Sequence, residues 1–140
     1  MIEIGNRLKE LAKEVMSEVV GEDKVIADNT WSNGSTDMGD MSALWPVIHP
    51  YVSGAIGTGH GNDYYLKDLD TAIFRNAEFQ TLLTIRLLEN DGKRARKIIE
   101  NRQVLFSNKD DYFSYVDGHY ANKEVIDYQN NGKIVVAADG

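Results

Sequence analysis

The sequence predicts an α/β fold, and three observations carry that reading. A 3.6-residue apolar period opens the chain, short β-branched runs follow it, and each of two such runs leads into a glycine-rich polar loop. A chain of 140 residues has room for one domain with one real core. Residues 1–140 therefore read as a single α/β unit, with 117–140 as a tail extension.

The first element is a helix. Ile4, Leu8, Leu11, Ala12, Val15 and Val19 recur at three- and four-residue steps, charged residues occupy the other faces, and Gly21 is a stop. Lys24 to Asp28 is short and β-branched and predicts a strand. Residues 29–42 form a polar loop of small residues, and Ser42 to Trp45 predicts a short helix ended by Pro46. Val47 to Ile56 is β-rich, but Pro50 restricts it to an edge strand or two short pieces. Ile73 to Leu88 predicts a mostly buried helix, Asn90-Asp91-Gly92 breaks it, and Ala95, Ile98 and Ile99 mark a further helix. Ser107-x-x-Asp110 resembles a capping box opening a helix with Tyr112, Phe113 and Val116, and Lys133 to Ala138 predicts a terminal strand.

Composition excludes several function classes. With 22 acidic against 15 basic residues the net charge is −7, which argues against a nucleic-acid or anionic-membrane partner. Zero cysteine removes disulfides, cysteine nucleophiles and thiolate metal sites, so any metal must use His, Asp or Glu. The first ten residues mix charge with apolar side chains unlike a signal peptide, and no apolar run approaches the roughly 20 residues of a membrane span. The expected compartment is the cytoplasm.

Chemistry concentrates in the two loops, Gly34-Ser35-Thr36-Asp37-Met38-Gly39-Asp40 and Gly57-Thr58-Gly59-His60-Gly61-Asn62-Asp63. Loops at strand ends are where open α/β sheets bind ligands. The second loop is not a dinucleotide fingerprint, since Asn62 stands at its last glycine, nor a P-loop, since no Lys follows. No Gly-x-Ser-x-Gly elbow supports a serine hydrolase, and a glycosidase reading of Asp37 and Asp40 lacks a sugar-binding scaffold. His60 reads either as a surface histidine or as a ligand freed by its glycine neighbours; Asp37 and Asp40 read as loop-capping carboxylates or as site residues.

Taken together, Gly34 to Ser42, then Pro46-Val47-Ile48-His49-Pro50, then Gly57-Thr58-Gly59-His60 resemble the C-terminal part of metal-dependent amidohydrolases, the aminoacylase and carboxypeptidase-like enzymes. The resemblance extends to Arg94 through Glu100 and Phe106 to Tyr112, and so covers most of residues 1–116. It implies the C-terminal portion of a zinc-peptidase-like catalytic domain, with helices packed on a mixed sheet and the lid or dimerisation domain absent. It implies His60 as a metal ligand, and Gly34, Ser35, Thr36 and Asp37 as substrate-binding residues. The implied chemistry is hydrolysis of amide bonds in N-acyl-amino acids or peptides, by a divalent metal (zinc, or manganese or cobalt) that activates water. The family's His-x-Asp pair and Glu-Glu pair have no counterpart in the chain. A zinc site takes three protein ligands, and the resemblance supplies one. No catalytic residue is therefore assigned, and the chain alone is expected to be inactive. The metal is expected only if the missing ligands are supplied, and self-association or a complementary N-terminal segment is the expected partner. A non-catalytic interaction module or a small-ligand binding domain is the alternative.

Overall fold

The structure, a computed structural model, describes residues 6–26 and 36–119. In chain order its elements are α1 (Asn6–Val20), a 3-10 turn (Glu22–Lys24), α2 (Met38–Leu44), β1 (Ala55–Ile56), β2 (Tyr65–Leu66), a π-helical turn (Asp70–Arg75), α3 (Asn76–Glu100) and α4 (Lys109–His119). The chain divides into two units, Met1–Ser107 and Asn108–Gly140.

In the first unit the core is a helix pair. Leu8, Leu11, Ala12 and Val15 of α1 are buried, as their helical spacing predicts, and Val15 is wholly inaccessible. Phe79 of α3 packs against Leu11, Ala12 and Val15, with Met16, Val19, Ile48, Leu82, Leu83 and Leu87 around them. Each fully buried side chain of this kind contributes roughly 1.5–3 kcal/mol. Ion pairs line the edge of the seam, Arg86 to Glu18 at 3.2 Å and Arg94 to Glu14 at 3.9 Å. The Glu18 carboxylate, hydrogen-bonded to Arg86, raises the guanidinium pKa further.

The break within α3 falls where the sequence places it. Glu89 is extended, and Asn90, Asp91 and Gly92 take φ of 52°, 58° and 68° before the helix resumes. Three successive left-handed residues cannot continue a right-handed helix, so the two halves are separate rods. The expected burial of this region is corrected: Ile73, Ile85 and Leu88 are each about half exposed or more. The apolar run is longer than the face α1 can cover.

The sheet also differs from expectation. Among the described residues it is one antiparallel pair, with Ala55 opposite Leu66 and Ile56 opposite Tyr65. The mixed sheet is not formed by these residues. Lys24 belongs to the 3-10 turn, Val25 and Ile26 have no regular structure, and Ala27 and Asp28 lie outside the described residues. Of Val47 to Ile56 only the last two are paired. β-propensity is a capacity to fit a pleated neighbour, and these runs meet none among the described residues. The expected strand at Lys133 to Ala138 lies outside the described residues.

α2 starts four residues earlier than the sequence suggests, inside the first glycine loop. Its C-terminal end is held by a returning segment, in which Leu105 and Phe106 N–H groups both donate to the Ala43 carbonyl at 3.0 Å. This satisfies an acceptor that a helix end otherwise leaves open.

The second unit contributes α4. Its cap is Asn108, not Ser107: the Asp111 N–H donates to Asn108 Oδ1 at 2.9 Å, and Asn108 Nδ2 donates to Asp111 Oδ2 at 2.7 Å. Asn is as good an N-cap as Ser, and here its partner carboxylate sits at the third following position.

Candidate functional site

The loop between β1 and β2, residues 57–64, carries His60. Gly57 opens it with φ of 101°, and a Cβ there would run into the backbone carbonyl of Asp63. Only glycine fits such a crossing. Asp63 then closes the loop from the other side. Its Oδ1 accepts the Thr58 N–H at 3.1 Å, and its Oδ2 accepts the Thr58 hydroxyl at 3.2 Å. The Gly61 N–H donates back to the Thr58 carbonyl at 2.7 Å.

The polar groups of Thr58 and Asp63 are therefore used in shaping the loop. His60 stands at its tip with φ of 62°, a left-handed position uncommon for residues other than glycine but one that histidine adopts more often than most. Its side chain is exposed and makes no hydrogen bond or ion pair with the described residues. The loop presents an imidazole outward on a closed frame.

The first loop is organised differently. Gly34 and Ser35, expected to bind substrate, lie outside the described residues. Thr36 and Asp37 are corrected from free loop residues to the opening of α2. The Thr36 carbonyl accepts the Gly39 N–H at 2.9 Å, and the Asp37 carbonyl accepts the Met41 N–H at 3.2 Å. Thr36 Oγ1 lies 3.4 Å from the Met38 N–H it accepts. The Asp37 carboxylate makes no capping bond and is exposed.

Among the described residues no three His, Asp or Glu side chains gather into a group able to hold a metal ion. His60 is thus not joined to Asp37 and Asp40 in one centre. The donors among the described residues do not make a complete zinc site, which takes three protein ligands.

Two open clefts flank the segment from Ile48 to Ser53. One, of about 450 Å³, is lined by Tyr51, Tyr64, Leu66, Phe79 and Leu83 and by no charged residue. The other, of about 1000 Å³, has Met16, Val19 and Phe79 on its walls and Lys13, Lys24 and Arg75 among its polar lining. His60 lines neither cleft.

Asp68 has a comparable bracing role that sequence reasoning missed. Its Oδ1 accepts the Thr71 N–H at 3.1 Å and its Oδ2 the Thr71 hydroxyl at 2.6 Å, which caps the π-helical turn. The Thr71 hydroxyl, then its N–H, hold the Asp68 carboxyl below the usual carboxylate range. The visible signal is Asp68-x-x-Thr71, a carboxylate three residues before a hydroxyl at a helix start.

No described helix is long and apolar enough to cross a membrane. Comparison of the chain with protein-family models, curated proteins and solved structures finds no match.

Proposed function

We propose that this chain is the C-terminal segment of a metal-dependent amidohydrolase or peptidase, inactive by itself, whose complete form hydrolyses amide bonds of N-acyl-amino acids or similar substrates in the cytoplasm. The reading is carried by the two glycine loops in their order and spacing, the second bearing His60 between Gly59 and Gly61. It is supported by the closed loop, which leaves that imidazole exposed and unengaged.

His60 would be one ligand of a zinc, manganese or cobalt ion. The other ligands and the base must come from residues that the described part does not hold, so no catalytic step is assigned to this chain. Of the expected substrate-binding residues, Thr36 and Asp37 would act from the N-terminal turn of α2.

Purified chain with added zinc, manganese or cobalt should release no amino acid from N-acyl-amino acids above the metal-only rate. Enzyme-like turnover would refute the requirement for further residues. Supplying a polypeptide with the His-x-Asp and Glu-Glu pairs should restore activity to the wild type and not to His60→Ala.

A second reading, a non-catalytic interaction module, is favoured by the large apolar side chains left in solvent. Phe74 is 66% and Tyr51 84% exposed. Were such side chains to form one contiguous patch, that patch would be an interaction face. Association with partners that does not depend on His60 or on metal would distinguish it.

A further inference from the structure

The larger of the two clefts runs against the charge of the chain. In a sequence with 22 acidic and 15 basic residues, its walls hold Lys9, Lys13, Lys24 and Arg75 and a single carboxylate, Asp70. Asp70 is already engaged, since its Oδ2 accepts Arg75 Nε at 3.1 Å, and Arg75 also donates to Glu78 at 3.0 Å. Lys13 is exposed, and its ammonium makes no ion pair with the described residues. The cleft is locally positive on a molecule that is negative as a whole.

The charges gather at one end. On α1 the cleft is lined by Lys9, Ala12, Lys13, Met16, Val19 and Val20, a single helical stripe. Lys9 and Lys13 are four residues apart and so neighbours on the helix surface. Beyond them the stripe is apolar, and Phe79 of α3 lines the same space. α1 and the first rod of α3 run in the same sense, because Phe79 packs on Leu11, Ala12 and Val15 while Arg86 reaches Glu18. Arg75, one turn before Phe79, therefore stands toward the Lys9–Lys13 end. From Lys13 to Val20 the helix rises about 10 Å, and Lys24 lies past its far end.

We propose that this cleft binds a small amphiphilic anion, a free fatty-acid-like carboxylate with its head at Lys9 and Lys13 and its alkyl chain along Met16, Val19 and Phe79. A cationic end followed by an apolar stretch matches a molecule with one head and one tail. An acidic polypeptide would spread its carboxylates along the stretch and set polar backbone against side chains that offer it no hydrogen bond. An anionic membrane is a flat surface, whereas these groups line a concavity of about 1000 Å³, the size of a small-molecule site. The ammonium groups would give the carboxylate charge-assisted hydrogen bonds, and the tail would remove apolar wall from water. This inference stands apart from the amidohydrolase reading: His60 does not line the cleft, and no metal takes part.

The test is calorimetric titration of the full chain with dodecanoate below its micelle concentration, beside acetate and dodecyltrimethylammonium. Dodecanoate should bind saturably, one per chain, and the other two at least about tenfold more weakly. From hexanoate to dodecanoate, each added methylene should tighten binding about threefold to fourfold until the apolar stretch is filled. Lys13→Glu should weaken dodecanoate about tenfold or more, while Lys93→Glu, the same change outside the cleft, alters it less than about twofold. Should Lys13→Glu lose its helical circular dichroism, K9Q/K13Q removes the charges without reversing them and carries the same expected loss. Absence of saturable dodecanoate binding would overturn the proposal. So would equal binding of dodecyltrimethylammonium, or indifference to the changes at Lys9 and Lys13. Displacement of dodecanoate by polyglutamate at equal carboxylate concentration would also overturn it, and would mark the cleft as a site for an acidic segment.

Discussion

The α1–α3 pair and the region from Pro46 to Leu66 stabilise themselves in opposite ways. The helix pair satisfies its backbone internally and gains from burying one apolar stripe against Phe79. The 46–66 region buries little, and two strand residues on each side hold a loop shaped by Gly57 and by the Asp63 carboxylate. Packing gives the helices a core of their own. Local hydrogen bonds give the loop a shape, while the segment before it pairs with none of the described residues. A helix can be complete within one chain, whereas a strand is complete only with a neighbour.

The comparison breaks most readily at Phe79. Phe79→Ala removes the ring at the centre of the seam and should cost about 3–5 kcal/mol, read from the urea midpoint of the helical circular dichroism. On the scale of a marginally stable domain that is enough to unfold much of the population. A loss below about 1 kcal/mol would mean the α1–α3 contact is not the main source of stability.

Gly57→Ala tests the other region. The added methyl meets the Asp63 carbonyl at a φ of 101°, so the substitution should cost about 1–3 kcal/mol locally. The chemical shifts of Thr58 to Tyr64 should move while those of α1 do not. Movement spread evenly over both regions would show that the loop and the helix pair are coupled.

These outcomes bear on what could be read in the sequence. α1 and the break at Asn90-Asp91-Gly92 were legible because helical period and left-handed residues act locally. The strands at Lys24 and Val47 were not, since their residues fit a sheet whose other members the described chain does not provide. The place of His60 in a loop was legible from its glycine neighbours. The Thr58–Asp63 closure was not, because a carboxylate five residues away carries no fixed pattern. The Asn108 cap was missed by one residue, since Ser107 and Asn108 are both competent and only geometry chooses.

A smaller effect is expected at Asp68. Its carboxyl titrates lower in the folded chain than in the unfolded chain, so its contribution is present above the ordinary carboxylate range. That contribution fades below about pH 4, as the pH falls through the lowered value. Asp68→Asn should flatten this part of the acid stability profile and lower the neutral-pH urea midpoint slightly, by the same amount in the wild type and in a Phe79→Ala background. An unchanged profile would remove Asp68 as a cap.

The smallest effect belongs to the ion pair of Arg86 with Glu18 on the edge of the seam. Arg86→Gln should shift the urea midpoint slightly at low salt and not at all in about 1 M salt, where exposed charges are screened. A large, salt-independent loss would make the seam electrostatic rather than apolar.

We propose His60, exposed on its loop, as one ligand of a metal centre completed from outside the described residues. Zinc titration by calorimetry tests it most directly, on the chain mixed with a polypeptide carrying the His-x-Asp and Glu-Glu pairs. Wild type should bind the metal tightly, and His60→Ala should weaken it by more than the roughly 10–100-fold that supporting residues of metal sites carry. The chain without its complement should bind only weakly in both forms. Equal affinity of wild type and His60→Ala in the completed assembly would contradict the account.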